Sequence, residues 1–125
     1  MMNKILVKTV HRLWFLNTLK ILQADVEAKN KYGNTVLIYA ARRGNQAILT
    51  ELLQAKAQPN ASNNYGYTAL HWAVANGRQA AVYLLLQTKA DPTAVDKDGR
   101  TAAKWAEDGG HAELAQRLIQ AEGLA

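Results

Sequence analysis

The residues best suited to catalysis or metal binding are His11, His71 and His111, and no cysteine stands beside them to supply a thiolate. Two imidazoles that share a metal from one helix stand at i and i+4, and no pair of these three does. Ser62, the sole serine, lacks the glycines of a nucleophile elbow, and no glycine-rich phosphate loop of the Walker or dinucleotide kind occurs. Asp91, Asp96, Asp98, Glu107 and Asp108 are neighbours in sequence, but they fall at turns and helix ends, where carboxylates read as solvated surface rather than as an acid and base pair. Asn60-Ala61-Ser62 matches a glycosylation sequon formally, and it coincides with a column of the repeat described next. The expectation is therefore a chain without catalytic residues, metal or cofactor. What remains is the chemistry of binding, carried by Tyr, Trp and Arg, which dominate protein-interface hot spots.

The elements that position those residues recur. Asn30-Lys-Tyr-Gly33-Asn-Thr35-Val-Leu37, Asn63-Asn-Tyr-Gly66-Tyr-Thr68-Ala-Leu70 and Asp96-Lys-Asp-Gly99-Arg-Thr101-Ala-Ala103 align without gaps at a period of 33 residues. Gly44, Gly77 and Gly110, then Leu52-Leu53, Leu85-Leu86 and Leu118-Ile119, keep the same period. Asn or Asp followed three residues later by Gly predicts a type I turn. Thr35, Thr68 and Thr101 then stand where a hydroxyl caps a helix, and the later glycines stop it in the left-handed conformation. Leu37, Ala40 and Ala41, like Leu70, Ala73 and Val74, share one face of that short helix. A second helix follows each glycine, with stripes Ile48, Leu49, Leu52, Leu53, then Ala81, Val82, Leu85, Leu86, then Leu114, Ala115, Leu118, Ile119. One turn and two antiparallel helices cannot bury their stripes alone, so the units must stack into an all-α helical solenoid. On the first helices Tyr39, Trp72 and Trp105 form a further column opposite the apolar stripe, which stacking turns into an aromatic ladder.

Composition agrees. The 125 residues are 49% apolar and 20% charged, with 2 Pro and 8 Gly, which excludes disordered and collagen-like chains. The net charge of +5 is uneven, with +6 over residues 1–56 and −1 over residues 57–125, and the bases form no continuous run. That argues for a solvated basic face rather than a nucleic-acid tract.

The repeat resembles the ankyrin repeat family. Thr68-Ala-Leu-His71-Trp-Ala73 is similar to the family's Thr-Pro-Leu-His-x-Ala core, Gly44-Asn45 and Gly110-His111 to its Gly-His pair, and Lys89-Ala-Asp91 to its Gly-Ala-Asp loop. Departures are Val36, Ala69 and Ala102 for Pro, Ile38 and Lys104 for His, and Lys56 and Lys89 for the loop Gly. The resemblance implies a non-enzymatic module that binds another protein through a concave surface of turn tips and first helices, with His71 tying down a helix start. On matching columns the partner-binding residues are Lys31, Tyr32, Asn34, Asn64, Tyr65, Tyr67, Lys97 and Arg100 at the tips, and Tyr39, Arg42, Arg43, Trp72 and Asn76 on the helices. Arg42, Arg43 and Lys31 would suit an acidic feature of the partner.

At the ends, Arg117 replaces the leucine of position 84 and Ala103 the leucines of positions 37 and 70, as in a polar C-terminal cap. Ala24 to Lys29 match the end of a unit, while residues 1–23 carry two offset apolar stripes and are expected to form a degenerate first repeat. The organisation is then 1–29, 30–62, 63–95 and 96–125, one domain. A targeting or membrane-surface helix is the rival for the basic N-terminal stretch, which is too charged and short to span a bilayer. The chain is expected to be a cytoplasmic monomer. An inhibitor of an enzyme, a nucleic-acid binder through the basic half, and a truncated or designed scaffold are the competing functional readings.

Overall fold

Every unit is organised by one side chain. In the computed structural model, which describes residues 25–124, Asn30 Oδ1 accepts the N–H groups of Tyr32 and Asn34 at 3.0 Å each. Asn63 Oδ1 does the same for Tyr65 and Tyr67 at 2.9 Å, and Asp96 Oδ1 for Asp98 and Arg100 at 2.9 Å. A short Asx side chain thus satisfies two amides that the turn leaves without backbone partners.

Threonine starts the helix after each turn. Thr35, Thr68 and Thr101 hold extended backbone and accept the amide three residues on, capping α1 (Val36–Arg43), α3 (Ala69–Ala75) and α5 (Ala102–Asp108). Their partners within each unit are α2 (Gln46–Gln54), α4 (Gln79–Gln87) and α6 (Ala112–Leu124). The described residues contain these six helices and no strand, only an isolated bridge between Ser62 and Thr68. The fold is the all-α repeat solenoid that the 33-residue period predicts. First helices pack in a row, α1 on α3 on α5, and α2 packs on α4 behind them.

Burial follows the stripes. Leu37, Ile38, Leu49, Leu52, Leu70, Val74, Val82, Leu85 and Leu118 lie almost wholly out of water, each contributing on the order of 1.5–3 kcal/mol of transfer free energy. Alanines at 40, 41, 73, 102, 103 and 106 are buried between them and let helix backbones approach closely. Ile38, at the family's histidine position, joins this core, whereas Lys104 at the same column points to water. Ile119 departs from its expected stripe: it is 48% exposed, because α6 has no further helix against its outer side among the described residues.

Neighbouring units are also joined at their loops. Glu27 and Asn60, one period apart, accept the backbone N–H of Gln58 and of Asp91 at 2.9 and 2.6 Å. Lys29 Nζ donates to the Ser62 carbonyl at 2.9 Å. Lys56 and Lys89, which replace the family's loop glycine, sit at φ 70° and 71°, so both L-residues carry left-handed backbone. At the other end, the Arg117 guanidinium lies 4.1 Å from the Tyr83 ring centre, spanning α6 and α4. The sequence expectation for residues 1–23 lies outside the described residues.

Candidate functional site

The turns form a rim because successive tips bond to one another. Asn64 N–H donates to the Tyr32 carbonyl at 3.0 Å and Lys97 N–H to the Tyr65 carbonyl at 3.1 Å. A Cβ on Gly66 would lie 2.9 Å from Asp96 Cα and from Lys97 N, so only glycine lets the third tip seat on the second. The rim therefore holds its side chains in fixed register one period apart.

The sequence-derived binding residues divide into two groups on this frame. Tyr32, Tyr65 and Tyr39 are 49%, 53% and 46% exposed, and Lys31, Arg42, Arg43 and Lys97 are exposed too. These present free surface. Others commit their polar atoms to bonds with neighbouring residues of the solenoid. Asn64 donates to the Lys31 carbonyl at 3.0 Å, Asn34 Oδ1 accepts from Asn63 at 2.9 Å, and the Asn76 amide donates to the Trp72 carbonyl at 3.0 Å. Arg100 reaches Asp96 Oδ2 at 3.2 Å and Asp98 Oδ2 at 3.0 Å.

Tyr67 is the residue most changed by folding. It stands at a tip in sequence, yet its half-buried ring centres an aromatic cluster, with Trp105 at 4.7 Å, Tyr65 at 5.5 Å, Trp72 at 5.9 Å and His71 at 6.3 Å. The expected ladder of Tyr39, Trp72 and Trp105 forms only in part. Trp72 and Trp105 meet edge to face at 6.5 Å, but Tyr39 pairs with Arg43, whose guanidinium lies 5.2 Å from its ring centre. Arg42 takes the corresponding place over Trp72 at 4.9 Å. Cations held over ring faces gain roughly 0.5–2 kcal/mol and lose side-chain freedom before any ligand arrives.

Below this surface the titratable groups are structural. His71 is fully buried. Its Nδ1 accepts the Thr68 N–H at 3.2 Å, closing a capping box, and its Nε2–H donates to the Arg100 carbonyl at 3.0 Å in the next unit. That pattern fits the neutral ring. Burial pushes the His71 pKa below 6.5, against the raising effects of the Arg100 carbonyl and the Asp96 charge. For Asp96 burial pushes upward, but the Arg100 amide, the Trp105 indole at 3.0 Å, the Asp98 amide and the Arg100 charge together hold the carboxyl below 3.8. Both groups are occupied in joining elements, so neither is placed to move a substrate's proton. No three His, Asp or Glu among the described residues converge on a metal-sized site, and no described helix is long and apolar enough to cross a membrane.

One lining residue escaped the sequence reasoning. An open hollow of about 360 Å³ between the ends of α1 and α3 is bounded by Tyr39, Arg42, Arg43, Asn76 and Arg78. Arg78 starts α4 without a side-chain cap of its own. Its stem lies on Gly44 of the previous unit, where an added Cβ would come within 2.7 Å of Arg78 Cδ. The available signal was the column Asn45, Arg78 and His111, in which the second unit breaks the Gly-His pattern with a fixed charge.

A family model described as ankyrin repeats, in three copies, matches residues 7–96 of the chain. No curated protein matches it.

Proposed function

The chain belongs to the ankyrin repeat family, whose repeats generally serve as non-enzymatic modules of protein–protein interaction, and from that premise we propose that this one grips a partner protein through its tip rim and first-helix face. The observation that carries the reading is the row of exposed rings and cationic groups at fixed register: Tyr32, Tyr65 and Tyr39 with Lys31, Arg42 and Arg43. Each is seated by a hydrogen-bonded turn or a capped helix, so little ordering entropy is lost on docking. Tyr supplies large rigid contact area and Arg charge-assisted hydrogen bonds. Lys97 is exposed on the same rim, and the remaining expected residues support the surface: Asn34, Asn64 and Asn76 fix tips and helix ends, while Tyr67, Trp72 and Arg100 stiffen the wall behind them.

The test is affinity capture with mass spectrometry, using the intact chain as bait beside the Tyr32→Ala/Arg43→Ala/Tyr65→Ala variant. Those three side chains make no inter-unit side-chain hydrogen bond, so the variant should keep its helical spectrum. Loss of about 2 kcal/mol or more at one such anchor is typical of a hot spot, and the triple change should remove the captured partner. Undiminished capture by the folded variant would dismiss this surface.

A further inference from the structure

Resting on that reading, we propose that the hollow of Arg42, Arg43 and Arg78 is the specificity pocket of the binding face and receives clustered Asp or Glu side chains of an acidic peptide segment in the partner. Three guanidiniums from two successive units line one concavity. Among the described residues the ion pairs involve Arg100 and Lys104, and none neutralises these three arginines. An anion entering this hollow meets planar donors suited to bidentate pairing with carboxylates.

The arginines are also aimed in advance. Arg42 and Arg43 are held over Trp72 and Tyr39, and the Arg78 stem lies along Gly44. The Tyr39 ring and the Asn76 amide complete the lining.

Two features select a short acidic peptide over a nucleic acid. Arg42 and Arg43 form the last turn of α1, where the negative end of the helix dipole tempers the local field, which suits single carboxylate charges. The charge at the first-helix ends also changes. Two first helices along, α5 exposes Glu107 beside Asp108, which is paired with Lys104, and with first helices about 8–10 Å apart a polyanion lying along the groove would meet the Glu107 carboxylate within about 20 Å.

The test is fluorescence polarisation with a fluorescein-labelled hexaglutamate peptide at about 0.1 M salt, where the Debye length is about 10 Å, with hexaglutamine and an oligothymidine as comparison probes. Hexaglutamate should bind and hexaglutamine should not. Arg78→Gln should weaken binding about tenfold, as expected for one lost charge-assisted bond, and Arg42→Gln/Arg43→Gln/Arg78→Gln should abolish it. Lys56→Gln/Lys89→Gln/Lys104→Gln removes the same charge elsewhere and should change affinity less than about threefold, since exposed distant charges are screened. Circular dichroism confirms that each variant is folded, and Arg78→Lys supplies a second, milder probe that should fall between wild type and Arg78→Gln. Equal weakening by the two triple variants, no binding of hexaglutamate by the wild type, or tighter arginine-dependent binding of oligothymidine would each overturn the proposal. A chain that still captures its partner through Tyr32 and Tyr65 while ignoring hexaglutamate would refute the pocket alone and leave the module reading standing.

Discussion

Replacing Lys56 and Lys89 together by glycine should stabilise the solenoid. Both residues hold left-handed backbone, at φ 70° and 71°, in equivalent loops that follow α2 and α4. That conformation costs an L-residue about 1–2 kcal/mol because Cβ crowds the following carbonyl. Glycine removes the crowding but loosens the unfolded chain, which returns about 0.4–1 kcal/mol. The net gain is then roughly 0.5–1 kcal/mol per site, and the two sites, one period apart in separate loops, should add to about 1–2 kcal/mol. Backbone bonds from Lys56 to Leu53 and from Lys89 to Leu86, at 3.1 and 3.3 Å, do not use the side chain and should persist. Urea titration followed by far-ultraviolet circular dichroism reads the gain as a later midpoint at unchanged slope, and thermal melting as a rise of about 4–8 °C. Lys56→Ala/Lys89→Ala separates geometry from charge, since it removes the ammonium groups and keeps Cβ. The reasoning fails if the glycine double variant is no more stable than the alanine one.

Two further perturbations address the joints between units. Gly66→Ala and Gly99→Ala both force positive φ on alanine, yet a Cβ at 66 meets backbone 2.9 Å away and one at 99 meets nothing within 4 Å. The first should cost at least about 1–3 kcal/mol more than the second, as overpacking does, and equal midpoints in urea would contradict the seating of one tip on the next. His71→Ala should cost roughly 2–4 kcal/mol near neutral pH, for a buried ring and its hydrogen bonds. Burial holds the folded His71 pKa below 6.5, so below that pH the unfolded chain takes up a proton that the folded chain resists. The stabilisation is therefore complete above about pH 6.5 and is lost as the pH falls. Urea midpoints of wild type and His71→Ala should converge toward acid, and a gap that widens instead would contradict the neutral ring.

Much of the fold was legible because each column of the repeat has a local cause. Asn30, Asn63 and Asp96 bond amides two and four residues away, and Thr35, Thr68 and Thr101 bond amides three away, so sequence spacing alone specifies them. Legibility ends where a side chain acts across units. Tyr67 looks like its tip neighbours in sequence, but its ring meets Trp105 nearly forty residues on. Arg78 is not legible in this way because its position is defined by Gly44 of the preceding unit rather than by anything in α4. Ile119 carries a core pattern but ends half exposed, since a stripe records which face is apolar and not whether another helix covers it.

The rim bonds have a mechanical meaning. Each tip's carbonyl receives an amide from the tip that follows it, Tyr32 from Asn64 and Tyr65 from Lys97, so successive units are joined in series and each joint can open without the others. Under tension the array should come apart in sequential steps rather than all at once. Each step would release one 33-residue repeat, which at full extension is about 110 Å of slack chain, making the molecule a short spring that yields in steps rather than a rigid rod.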